Sequence, residues 1–164
     1  MANGLYRPRV VANALLKQAR SNGVKLSHLK LQKLVFFLHA WNLALYKQPL
    51  IDEQPEAWPY GPVFSSLYHE LKRFGSKDIE GYLTEIDPQS GREMAYIPSD
   101  QDHQFWNLVT QVWDRYGKLT ATQLSSLSHI KNGPWDKARQ ESESKISNQS
   151  IRDFYSPQLI HARQ

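Results

Sequence analysis

The stretch Ser27-His28-Leu29-Lys30-Leu31-Gln32-Lys33-Leu34-Val35-Phe36-Phe37-Leu38-His39-Ala40-Trp41-Asn42-Leu43-Ala44-Leu45-Tyr46 decides how this chain folds. Ser27 is a helix-capping residue type, and neither proline nor glycine interrupts the run from His28 to Tyr46, so the sequence predicts a helix over about those residues. On a helical projection the leucines, Val35, Phe36, Phe37 and Trp41 surround most of the circumference. His28, Gln32, His39, Asn42 and Tyr46 fall in one narrow stripe. A helix that is apolar nearly all round is a buried, central one. His39 is then expected to be a hydrogen-bonded core histidine.

Working outward, Val11, Leu15 and Ala19 recur at helical spacing between Pro8 and Asn22, and Gly23 comes next as a stop. Residues 49–62 hold four prolines and a glycine, which predicts an irregular connection. Gly61-Pro62-Val63 and Gly133-Pro134-Trp135 each look like a helix start, because proline at the first helical position loses no hydrogen bond. These helices are expected to reach about Phe74 and Gln140. Tyr82–Ile86 and Met94–Ile97 flank Asp87-Pro88-Gln89-Ser90-Gly91 and predict a β-hairpin. Ser99-Asp100-Gln101-Asp102 and Thr120-Ala121-Thr122-Gln123 resemble capping boxes before two further helices. Ser147 is placed to cap a last short helix carrying Ile151, Phe154 and Tyr155, with the tail from Ser156 expected to fray. The expected architecture is mainly α, small α+β: a compact multi-helix domain around a buried central helix, with one small β-hairpin. Residues 1–164 form a single expected domain, with a core at about 8–155 and a tail at 156–164.

Charge is unevenly spread. Eight basic residues (Arg7, Arg9, Lys17, Arg20, Lys25, Lys30, Lys33 and Lys47) and no acidic ones precede Asp52, although the whole chain carries only +4. The asymmetry invites an anionic partner such as nucleic acid, a membrane surface or an acidic protein, of which a membrane is not expected. Lys17, Arg20, Lys25, Lys30 and Lys33 are the candidate basic steering surface. Nucleic acid is possible but not favoured: a recognition helix must expose polar side chains to base edges, and the helix after Ser27 reads Leu-Val-Phe-Phe-Leu.

Other totals exclude whole classes. Forty per cent apolar and 12% aromatic residues are too many for a disordered chain. Zero cysteines exclude disulfides, thiolate zinc sites and cysteine nucleophiles, and fit the cytoplasm. No apolar run approaches the ~18 residues of a membrane span, and the N-terminus does not read as a signal peptide. His28, His39, His69, His103, His129 and His161 never pair at one-turn spacing, so no metal is expected. None of the nucleotide-binding, hydrolase or metalloprotease signatures is present, so no catalytic residue and no cofactor is assigned. The density of Ala57-Trp58-Pro59-Tyr60-Gly61-Pro62-Val63 has two readings: a rigid elbow that packs Trp58, or a presented binding surface, since Trp and Tyr dominate interface hot spots.

Leu31-Gln32-Lys33-Leu34-Val35-Phe36-Phe37, His39-Ala40-Trp41, Pro49-Leu50, Glu56-Ala57-Trp58-Pro59-Tyr60-Gly61-Pro62-Val63 and Tyr68 together resemble the Panacea, or SocA-like antitoxin, domain. Val112-Trp113, Tyr116-Gly117, Leu124-Ser125, His129 and Pro134-Trp135 continue the resemblance, which covers about residues 8–155. It implies a mainly helical domain with a small β element. It also implies a bacterial or phage-encoded antitoxin that neutralises a cognate toxin protein by binding it, the toxin being encoded by a neighbouring gene. The chain begins almost at the resemblance and ends just after it, so the DNA-binding domain appended to some relatives is not expected. Trp58, Tyr60, Gly61, Pro62 and Tyr68 are the candidate partner-binding or scaffold motif. The resemblance assigns no catalytic residue and leaves open the oligomeric state and the toxin's chemistry.

Overall fold

A computed structural model describes residues 5–162. The predicted central helix is α2, His28–Tyr46; the Ser27 side chain accepts a hydrogen bond from Lys30 N–H at its start, and Lys47 ends it in a left-handed conformation. Leu31 to Ala44 are all buried. Around it pack α1 (Pro8–Ser21), α3 (Ser65–Leu71), α4 (His103–Tyr116), α5 (Ala121–Ser128) and α7 (Asn148–Ala162), while α6 (Pro134–Gln140) packs against α7. Two antiparallel hairpins complete the fold: β1 (Glu56–Trp58) with β2 (Gly61–Val63), and β3 (Glu85–Ile86) with β4 (Glu93–Met94). The fold is mainly α with a small β part, as expected, but it holds two hairpins rather than one. No helix among the described residues is long and apolar enough to cross a membrane.

Burial leaves the middle of the polar stripe of α2, Gln32, His39 and Asn42, without water, so each group must find a protein partner. Gln32 donates to Phe64 O and accepts from Phe64 N–H. Asn42 donates to Gln48 O at 2.8 Å. His39 accepts from Ile51 N–H at Nδ1 and donates from Nε2 to Asn148 Oδ1 at 3.0 Å. The connection after α2 therefore runs along that stripe and satisfies it. Asn13 on α1 works the same way, bridging Leu83 N–H, Leu83 O and Tyr96 O. Trp41 Nε1 donates to Tyr116 Oη at 2.7 Å, and the Tyr116 ring stacks on Phe37 with centroids 4.4 Å apart.

Four local expectations need correction. Gly61-Pro62-Val63 does not open a helix; it is strand β2, paired with Glu56–Trp58, and the helix starts at Ser65. Gly61 has φ +116, a turn conformation rather than the extended one of a helix cap, whereas Gly133 at φ −76 does cap α6. The predicted hairpin at 82–97 pairs only Glu85–Ile86 with Glu93–Met94, because Leu83 and Tyr96 give backbone groups to Asn13. Helix α4 is capped by Asp102, whose carboxylate accepts from Phe105 N–H, not by Ser99. The tail does not fray at Ser156: α7 continues through Pro157 to Ala162. Pro157 removes one helical hydrogen bond, while Gln158 Nε2 donates to Phe154 O and Ser156 Oγ accepts from Lys47, holding this turn. Residues 1–4 and 163–164 of the expected domain lie outside the described residues.

His39 makes this core pH-sensitive. Burial lowers its pKa from 6.5 to about 4, and the hydrogen bond to Asn148 offsets only part of that. The unfolded chain takes up this proton near pH 6.5 and the folded chain only near pH 4, so the stability it contributes is whole above 6.5 and lost as pH falls towards 4. The expected loss across that window is about 3 kcal/mol. Denaturant unfolding of wild type and His39→Gln across this range checks it: the wild-type curve should fall more steeply, and parallel curves would contradict the assignment.

Candidate functional site

The β1–β2 hairpin is a two-residue turn, Pro59-Tyr60, between paired Trp58 and Gly61. It is anchored from two sides. From α6, Trp135 Nε1 donates to Trp58 O at 2.7 Å and Arg139 to Ala57 O at 3.1 Å. The segment after α6 supplies Ser144 O for Ala57 N–H and receives Pro55 O at Ile146 N–H. From α2, Gln32 holds Phe64, and Lys33 Nζ donates to Pro62 O at 3.2 Å. A segment near residue 58 and one near residue 135 thus form one unit.

The anchored hairpin brings three of the candidate aromatics together. Trp58 packs edge-on against Tyr68 at 4.7 Å between centroids, and His28 lies 5.1 Å from the same Tyr68 ring. With Leu29, Tyr60 and Val63 they wall a groove of about 350 Å³ between the hairpin and the α2 and α3 helices. Tyr60 stands at the tip, 76% exposed. Gly61 and Pro62 are buried beneath it. The elbow and surface readings are thus divided between residues: Trp58 is half-buried and braced, and Tyr60 is presented.

Under Gly61 lies a residue expected at the surface. Lys33 is not at a rim; it is fully buried. It lies off the polar stripe, in the apolar arc of α2, which is the signal that would have placed it inward. A Cβ on Gly61 would sit 2.6 Å from Lys33 Nζ, 3.0 Å from Ser128 Oγ and 3.1 Å from His129 Nε2. Only glycine permits this approach, and its φ of +116 is one that other residues rarely adopt. Among the described residues no carboxylate pairs with Lys33, and burial lowers its pKa to about 8. Its charge, after the larger effect of burial, also depresses His28 and His129. The Tyr60 backbone offsets part of that depression at His129, whose ring lies 4.1 Å from Trp135.

The remaining basic residues are partly answered within the fold. Arg9 bridges Glu70 and Glu85, and Arg7 pairs with Glu85 at 2.8 Å. Lys30 Nζ donates to Gly117 O at the end of α4. Lys17 lies 3.8 Å from Asp100 and 5.3 Å over the Trp106 ring, and Arg20 stacks on Tyr82. Lys17, Arg20 and Lys25 stay at the surface, while Lys30 and Lys33 turn inward.

This buried cation and the glycine above it have measurable consequences. The folded chain releases the Lys33 proton near pH 8 and the unfolded chain only near 10.5, so raising pH through this window favours the fold. Tyr6, Tyr116 and Tyr155, with raised pKa, oppose the gain above 10.0, while Lys30, lowered by its own burial, adds to it. Wild type should therefore gain about 2 kcal/mol between pH 8 and 10. Lys33→Met should lack that gain and be more stable at neutral pH by about 1–2 kcal/mol, read by denaturant melts. Gly61→Ala should destabilise by about 2 kcal/mol, through strain and collision with Lys33.

The family model for "Antitoxin SocA-like, Panacea domain" matches residues 31–136, from the body of α2 through both hairpins to the start of α6. The chain is 34% identical over 128 residues to Antitoxin SocA of Caulobacter vibrioides (strain NA1000 / CB15N), an overlap covering 78% of this chain and 68% of that protein. No solved structure matches it significantly. The chain belongs to the SocA-like antitoxin family defined by the Panacea domain.

Proposed function

We propose that this protein is an antitoxin that neutralises a toxin protein by holding it in a direct complex, with the β1–β2 hairpin and its groove as the contact face. Family membership carries the reading: a relative sharing 34% of aligned residues is named an antitoxin. The matched segment, 31–136, contains Lys33, Trp58, Tyr60, Tyr68 and Trp135, so it spans the whole anchored hairpin. The physical support is a rigid hairpin with one large aromatic at its tip, which binds at low entropic cost. The proposed role is binding, not catalysis. Ser128 Oγ donates to Ser125 O rather than to the His129 imidazole, the partner that would activate it as a nucleophile. The chain is proposed to act as one domain in the cytoplasm, its toxin encoded by a neighbouring gene.

Co-expression with the product of each adjacent gene tests the reading. One such product should arrest growth alone, be harmless with this protein, and co-purify with it. If no neighbour is toxic and no neighbour is bound, the proposal fails. Tyr60 and Trp58 should separate in that assay. Tyr60→Ala should keep the melting curve and weaken the complex by about 2 kcal/mol, the scale of a hot-spot aromatic. Trp58→Ala should lower stability itself by about 2 kcal/mol, since its ring packs on Tyr68.

A further inference from the structure

The groove beside the hairpin has a charge pattern that selects its occupant. Its walls are apolar and aromatic (Leu29, Trp58, Tyr60 and Tyr68), yet both of its lysines are unmatched. Lys33 lies in the floor, fully buried, with a backbone carbonyl as its hydrogen-bond partner. Lys72 lies at the edge, exposed and in no ion pair among the described residues. No aspartate or glutamate lines the groove. The nearby acids are committed elsewhere: Glu70 to Arg9, and Glu53 to the Ser66 N–H.

We propose that this groove docks an acidic, apolar segment of the partner protein, with an aliphatic or aromatic side chain between Trp58, Tyr60 and Tyr68 and a flanking carboxylate over Lys33 and against Lys72. An uncompensated cation in a low-dielectric floor attracts an anion at the mouth far more strongly than a solvated one, without touching it. The cation also costs the free protein stability that a bound carboxylate partly restores. At His28, burial and then the field of Lys33 disfavour the charged imidazole. A basic occupant is disfavoured by the same field, and a purely apolar one leaves both lysines unpaired. That the occupant belongs to a toxin rests on the antitoxin reading, but the groove's preference stands on its own geometry.

The test therefore uses no toxin. The probe is a short capped peptide alternating glutamate with leucine and phenylalanine, compared with the same peptide carrying glutamine or lysine in place of glutamate. Titration into the full-length protein is followed by amide and indole N–H chemical shifts. The acidic peptide should perturb the Trp58 indole and the Tyr60, Gly61 and Gly75 amides, and bind about tenfold more tightly than the glutamine peptide. Lys72→Glu, at an exposed position, should weaken it about fivefold. Lys33→Met should weaken it about tenfold while leaving the protein folded. The proposal is overturned if the glutamine or lysine peptide binds equally well, if the shifts map to another face, if no shift occurs at millimolar peptide, or if neither variant changes the affinity. A toxin neutralised normally by both variants would overturn the groove assignment and leave the antitoxin reading standing. An acidic peptide bound at the groove with no toxic neighbour would do the reverse.

Discussion

Everything in this fold depends on one constraint: α2 is buried around its whole circumference from Leu31 to Ala44, so the polar side chains of that stretch have no water to bond. Gln32 and Asn42 are satisfied by backbone outside the helices, and His39 by the Ile51 N–H together with the Asn148 side chain. The proline-rich connection supplies that backbone, at Gln48, Ile51 and Phe64. A loop that would otherwise be loosely held is thereby pinned to the most buried element of the protein. The cost of a bare buried amide or imidazole, about 1–3 kcal/mol each, is the force that pins it.

That pinning sets the functional face. Because Gln32 holds Phe64 and Lys33 holds Pro62, the hairpin cannot swing away from α2, and Trp135 fixes its other edge. Tyr60 is exposed on a rigid mount rather than on a mobile loop. Lys33 differs from the other buried polar groups of α2: among the described residues it is a cation without a counter-ion, admitted by a glycine that no other residue replaces without strain. Such an arrangement is a poor stability device. It makes sense as a field aimed at a partner.

Much of this was legible in the sequence, for identifiable reasons. The starts of α2, α5 and α6 followed from Ser27, from Thr120 with Gln123, and from Gly133-Pro134, because caps act locally. The core role of His39 followed from its place in the narrow stripe. Gly61-Pro62 misled because the same dipeptide serves a helix start or a tight hairpin, and the φ of Gly61 is set by tertiary contacts with Lys33 and α5. The burial of Lys33 was visible in its angular position, but its formal charge argued for the surface. The meeting of Trp58 with Trp135, and of Asn13 with Leu83, joins residues far apart in sequence, which no local pattern encodes. The charge asymmetry is answered within the fold only in part: Glu70 and Glu85 pair with Arg7 and Arg9, while Lys17, Arg20 and Lys25 stay at the surface.

Native-state hydrogen exchange measures the central claim most directly. The amides of Ile51 and Phe64, outside any helix, donate to His39 Nδ1 and Gln32 Oε1, and that of Leu83 donates to Asn13 Oδ1. If α2 pins its surroundings through these side chains, all three should be protected as strongly as amides in the middle of α2, opening only with global unfolding. Exchange of Ile51 and Phe64 at the rates of exposed turns such as Gln89 and Ser90, with α2 still protected, would contradict the account.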